Sequence, residues 1–198
     1  MNKTNFMYIV FEGIDGAGKS TQIQLLKEWL EANGLEVEAL VEPTDSEIGK
    51  LIRKILQRSD ATTDRVQKTL GLLFAADRML IMDKLSDDKK VILSDRSFIS
   101  SLAYQEPADW IVELNKYAKK PDLVLFLDLD VKTSVSRTTG EDEFENEEFL
   151  TQVKTNYLEI INDFNHVIID ANNGINKVSS DVKKAVASHV GLCKDCIL

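Results

Sequence analysis

The clearest chemistry in the chain sits in Gly13-Ile14-Asp15-Gly16-Ala17-Gly18-Lys19-Ser20. The stretch fits G-x-x-x-x-G-K-[ST]. Glycines let consecutive backbone N–H groups turn inward as a nest for anions. A helix starting near Lys19 directs its positive N-terminal end at the same place. Lys19 is then placed to reach the outer phosphates of a nucleotide, and Ser20 to offer its hydroxyl to magnesium. The motif speaks of nucleotide phosphates and leaves their fate open.

Two further groups bear on that fate. In "VILSDRSFISSLAYQ" (91–105), Asp95 and Arg96 fall just past a strand end, where open parallel sheets place ligands. Asp95 suits magnesium held through water, and Arg96 has the fork geometry for a phosphate. A structural salt bridge is the plainer alternative. In "LLFAADR" (72–78), Phe74 and Arg78 stand four apart and share a helix face. They can stack on and hydrogen-bond a base, or serve as a core ring and a helix-end charge. A guanine-specific switch is disfavoured, because Asn115-Lys116-Tyr117-Ala118 lacks the aspartate of that signature and precedes a strand. Three classes remain: a phosphotransferase acting on a nucleotide, a deoxynucleoside kinase with Asp95 as base, and an ATP-binding protein without transferase activity.

Elements must position these groups. Residues 6–11 form a short apolar run that predicts a buried strand. Ile23, Leu26 and Leu30 recur at helical spacing up to the stop at Asn33-Gly34. Strands are predicted at 35–41, 89–95, 121–130 and 165–170. Helices are predicted through Ile48–Ile55, over 63–85, through Phe149–Phe164 and over 176–190. Strands alternating with helices predict a parallel sheet covered on both faces.

Composition narrows the partners. With 33 acidic and 24 basic residues the net charge is −9, which disfavours nucleic acid or an anionic membrane as partner. Among 198 residues no apolar run approaches the roughly 20 of a membrane span, and the N-terminal apolar stretch is too short for a signal peptide. The cysteines are Cys193 and Cys196, so a reduced, cytoplasmic setting is expected. With His189 they offer three metal ligands where structural zinc usually takes four, which favours a frayed terminus.

Taken together, "FEGIDGAGKST", "EPTDSEIGKLIR", "LLFAADR", "SDRSFISSLAYQ", "PDLVLFLDLD" and "FENEEFL", in this order, resemble the thymidylate kinase family. The resemblance covers most of the chain. It implies an α/β, three-layer P-loop kinase fold with a central five-stranded parallel sheet and flanking helices. A single domain over 1–198 is expected, with a lid at about 137–148, a homodimeric assembly, and ATP, dTMP and Mg2+ as reactants and cofactor. The loop from Gly13 to Ser20, with Thr21 and Arg137, is implied on the ATP side, and Asp170 and Ala171 at the adenine border. On the acceptor side, Phe74 is implied to stack on thymine and Arg78 to bind its carbonyl. Ser100 and Ser101 fall at the base edge, and Tyr104 and Gln105 under the sugar. Arg96, with Arg53 nearby, is implied at the dTMP phosphate, and Asp15 at its sugar hydroxyl. Pro43 and Glu145 complete the acceptor side, and Ser20 with Asp95 the metal side. The chain departs from the family at its cations. Neither the loop interior nor 138–150 holds an arginine, and Glu143 stands where one is common. Lys19, Arg96 and Arg137 are therefore expected to carry the cationic work. Ser97 and Phe144 replace residues that are commonly tyrosine or histidine, and tyrosine.

Overall fold

The computed structural model describes residues 7–86, 89–137 and 146–192. Most of the expected lid, with Glu143, Phe144 and Glu145, lies outside the described residues, as do Cys193 and Cys196.

Five parallel strands run in the order β2-β3-β1-β4-β5. They are β1 (Met7–Glu12), β2 (Val37–Val41), β3 (Val91–Asp95), β4 (Leu123–Asp128) and β5 (His166–Asp170). The three central strands are near-continuous apolar runs because helices cover both their faces. The edge strands alternate or thin out instead, as in β2, where Val37 is buried and Glu38, Leu40 and Val41 less so. Each fully buried aliphatic or aromatic side chain here is worth about 1.5–3 kcal/mol relative to exposure.

Register decides where the chemistry lies. Phe11 pairs with Asp95 across β1 and β3, and Glu12 pairs with Phe126 across β1 and β4. β1 and β3 thus end within one residue of each other, while β4 runs on past them to Asp128. The chain leaves β1 toward one side of the sheet and later returns to the other, so β1 borders the topological switch point.

Helices α1 (Lys19–Ala32), α2 (Glu47–Leu56), α3 (Asp64–Met79), α4 (Phe98–Tyr104), α5 (Ala108–Leu114), α6 (Val131–Arg137), α7 (Glu147–Ile160) and α8 (Ile175–Ala187) flank the sheet. Three start on side-chain caps: Ser46 Oγ accepts the Gly49 N–H, Ser97 Oγ that of Ile99, and Asn146 Oδ1 that of Phe149. The helix expected over 63–85 ends at Met79. Its buried residues Val66 and Leu70 belong to a small cluster with Ile52 and Ile55 of α2, whereas Ile81 and Leu85 lie in the main core. One straight helix cannot serve both, so the chain turns after Met79 and closes with a short 3-10 turn at Lys84–Ser86. Helices α4, α5 and α6 were not expected as separate elements. Each has only seven residues, too few to show a helical period.

Candidate active site

The phosphate loop leaves β1 at Gly13 and enters α1 at Lys19. Gly13 has φ +141°, and a Cβ there would stand 2.7 Å from the Leu127 carbonyl oxygen, so only glycine lets the loop lie against β4. At Gly16, φ +76°, a Cβ would meet that of Arg137 at 3.2 Å, which lets α6 close on the loop. Two bonds hold that closure. Ser134 Oγ donates to the Asp15 carbonyl at 2.6 Å, and Arg137 Nη1 to the Gly16 carbonyl at 2.9 Å. Ile14 and Ala17 bury their side chains in the core, so what they offer a ligand is backbone.

Lys19 is buried and donates to the Gly13 and Ile14 carbonyls, both at 3.1 Å. Burial lowers its ammonium pKa to about 8, helped by the Arg96 cation and opposed by Asp15, Asp95 and Glu12. Ser20 Oγ donates to Asp95 Oδ2 at 2.6 Å. Asp15, Gly16, Gly18, Lys19, Ser20, Thr21, Asp95 and Arg96 all line one hollow over the loop, enclosing about 630 Å³ of partly open space.

A second cleft, of about 820 Å³ and partly open to solvent, lies beside it. Pro43, Phe74, Arg78, Ser100, Ser101, Tyr104 and Gln105 all line it. The two hollows share Asp15, Glu42 and Arg96. Phe74 is half-buried against the α2–α3 cluster and also forms cleft wall. Arg78 is more than a helix-end charge. Only 3% exposed, it donates from Nε and Nη2 to Glu42 Oε2 at 2.9 and 2.6 Å, and from Nη1 to Asn115. Glu42 Oε1 and both polar atoms of the buried Gln105 side chain have no partner among the described residues. Asp77, next to Arg78, ties the loop after Pro43 down through the Thr44 and Ser46 hydroxyls, each at 2.6 Å.

Arg96 stands at the meeting point. Its backbone holds φ +72°, uncommon for a side-chain-bearing residue and typical of constrained functional positions. Nη2 donates to Asp15 Oδ1 at 2.6 Å, and that cation holds the Asp15 carboxyl below its ordinary range. The guanidinium lies over the Tyr104 ring, 5.2 Å from its centroid.

Not every expected residue joins the cleft walls. Arg53 donates to the Pro43 and Thr44 carbonyls at 2.6 and 2.8 Å, bracing the loop that carries Pro43. Asp170 is exposed at the end of β5 and accepts from Asn172 and Asn173, while Ala171 is buried behind it. Both sit two strands from β1, outside the two hollows. Sequence reasoning missed Glu12, Glu42, Asn115, Ser134 and Tyr157. Glu12 and Glu42 had a readable signal in their place alone, each a carboxylate at or just past the end of a strand. Tyr157 lies within the helix predicted through Phe149–Phe164, where its ring fits the apolar pattern and its hydroxyl goes unmarked.

Comparison with known proteins follows the same lines. A sequence model of the thymidylate kinase family matches residues 11–182. The chain is 78% identical over 191 residues to a probable thymidylate kinase of Methanobrevibacter smithii, covering 96% of this chain and all of that one. It is 43% identical over 194 residues to a probable thymidylate kinase of Methanothermobacter thermautotrophicus, covering 97% of this chain and 100% of the relative. The fold is similar to a solved thymidylate kinase from Candida albicans, with TM-score 0.78, 26% identity, and 93% and 92% of the two chains covered.

Proposed function

The chain belongs to the thymidylate kinase family, and on that premise we propose that it transfers the γ-phosphoryl group of ATP to dTMP, giving dTDP and ADP for dTTP synthesis. The observation that supports this best is the junction of the two hollows at Asp15 and Arg96. A triphosphate over the loop and a monophosphate in the cleft would meet there, within reach of one arginine.

The chain's own groups divide the work. Backbone N–H groups from Gly13 to Thr21 and the Lys19 ammonium take the β- and γ-phosphates, Lys19 leaving the loop carbonyls to do so. Arg96 takes the acceptor phosphate, exchanging it for Asp15, whose carboxylate is then free for the acceptor's sugar hydroxyl. The attacking oxygen is already anionic, so no general base is needed, and alignment and charge neutralisation carry the catalysis. Phe74 and Arg78 bind the base face and a base carbonyl, with Ser101 and Gln105 beside them. Ser100 stands between base edge and phosphate, and Tyr104 forms the sugar wall. Arg137, docked on Gly16, supplies charge on the ATP side.

A hydroxyl and a carboxylate 2.6 Å apart at Ser20 and Asp95 fit the metal side of such a loop. They are the residues that would hold Mg2+, and when bound that ion would supply positive charge against the phosphates. The deoxynucleoside kinase reading is weaker because the family model and the relatives matched are thymidylate kinases. A homodimer in the cytoplasm is part of the proposal. It is supported by the family resemblance and by exposed Leu72, Met79 and Leu80 on and beside α3. No described helix is long and apolar enough to cross a membrane.

A panel of dTMP, dUMP, dCMP, dGMP and thymidine with ATP and magnesium tests the reading. Turnover of dTMP is expected, and turnover of thymidine alone would contradict it. The pH profile tests the role of Lys19. Its lowered pKa means that the free enzyme loses the ammonium near pH 8, so kcat/KM for ATP is expected to fall above that pH. Bound triphosphate holds the proton, so the alkaline limb of kcat should lie at higher pH. Coincident limbs would show that Lys19 does not meet the phosphates.

A further inference from the structure

Glu12 ends β1 with no exposed surface, yet among the described residues no lysine or arginine is hydrogen-bonded to its carboxylate. Hydroxyls serve it instead. Ser97 Oγ donates to Oε1 at 2.7 Å, Ser100 Oγ to Oε2 at 2.7 Å, and Tyr157 OH to Oε2 at 3.0 Å. This gives Ser97 a task of its own, where the family often has a ring. Burial pushes the Glu12 carboxyl up and these hydroxyls push it back down.

The orientation of the protons follows from counting donors. Glu12 Oε2, Ser100 Oγ and Tyr157 OH form a triangle, the serine and tyrosine oxygens being 2.8 Å apart. Both hydroxyls donate to Oε2, so their protons lie inside that triangle. Lone pairs are then left facing outward. Arg96 Nη1 meets them, donating to Ser100 Oγ at 3.0 Å and to Tyr157 OH at 3.2 Å, while Nη2 stays on Asp15. Tyr157 reaches this point from α7, which is seated on α4 by Asn156 Nδ2 donating to the Ala103 carbonyl at 2.9 Å. Its ring stands edge-on to Tyr104, 6.0 Å between centroids, and Tyr104 carries the Arg96 cation on its face.

We propose that Tyr157, with Glu12 behind it, is a positioning residue that aims Arg96 at the acceptor phosphate. This rests on the reading of Arg96 as the group that meets that phosphate. Neither residue touches substrate in this scheme. Glu12 turns the hydroxyls, the hydroxyls hold one arm of Arg96, and the other arm is left to exchange Asp15 for phosphate.

Tyr157→Phe keeps the ring and removes only the hydroxyl. It is expected to lower kcat/KM for dTMP about tenfold, with KM for ATP unchanged, because it loosens a charge-assisted bond on one substrate's side. Glu12→Gln removes the negative charge that draws both hydroxyl protons inward and is expected to lower kcat/KM for dTMP by at least about tenfold. The decisive measurement is a double-mutant cycle. In an Arg96→Ala background, Tyr157→Phe is expected to have less than about a twofold effect, since its route to the substrate is gone. Equal effects in both backgrounds, or an undiminished Tyr157→Phe enzyme, would overturn the proposal. Thermal melts of Tyr157→Phe separate loss of aim from loss of fold. A wild-type chain that turns over other monophosphates but not dTMP would overturn the substrate reading while leaving the cycle to be run with the accepted one.

Discussion

An Arg96→Ala enzyme is expected to lose about 10³-fold in kcat/KM for dTMP, while its KM for ATP stays within a few-fold of wild type. The magnitude follows from where the side chain sits. Among the described residues it is the one cation shared by the loop hollow and the acceptor cleft, and it bonds Asp15, Ser100 and Tyr157 at once. Removing it leaves the acceptor phosphate facing Asp15 and the buried Glu12 with no nearby guanidinium. A second readout comes from Lys19. The Arg96 cation helps to depress the Lys19 ammonium, so the alkaline limb of kcat/KM for ATP should move to higher pH in the variant. Arg96→Lys restores the charge but not the fork and should recover only part of the loss. Steady-state kinetics with both substrates varied checks all of this. An Arg96→Ala enzyme that lost ATP and dTMP binding equally would place the residue on the wrong side of the transfer.

Much of this arrangement was legible because it is local. The phosphate loop is one continuous segment, its glycines mark the turn, and apolar runs of four to six residues read as central strands. The pair Asp95-Arg96 was found by its place at a strand end. Phe74 and Arg78 were singled out by helical spacing, and both line one cleft. What escaped is what folding brings together from afar. Glu12 and Tyr157 are 145 residues apart and meet at 3.0 Å. No period or spacing encodes that contact, and a tyrosine in an apolar pattern hides its hydroxyl. The same holds for Arg78, whose partner Glu42 lies 36 residues away across the sheet edge. A helix-end arginine looks solvated in sequence, yet it is buried because a carboxylate waits for it. Ser134 was hidden differently: α6 is too short to announce itself, so its contact with the loop could not be anticipated.

The Glu42–Arg78 pair sets the second large effect. Arg78→Ala is expected to raise KM for dTMP by well over tenfold and to lower stability by about 3–5 kcal/mol, because it strands a buried carboxylate. Both partners are nearly sealed, with side-chain exposures of 4% and 3%. Burial pushes the Glu42 carboxyl up, and Arg78 is the main group opposing that. Without the arginine, Glu42 keeps its proton to a higher pH than in the unfolded chain. The native state then binds more protons, so the variant's deficit grows as the pH rises above the ordinary carboxylate range. Melts at pH 5 and pH 8 should therefore differ more for Arg78→Ala than for wild type. The stability loss threatens to mask the binding role, and a second variant separates them. Glu42→Gln with Arg78→Met removes both charges and should recover most of the melting temperature. If Arg78 reads the base, KM for dTMP stays high in that double variant while KM for ATP is little changed, with Glu42→Gln alone as the control for the lost carboxylate. If KM for dTMP returns with the melting temperature, Arg78 only braces the cleft, and recognition of the base falls to Phe74, Ser101 and the unpartnered amide of Gln105.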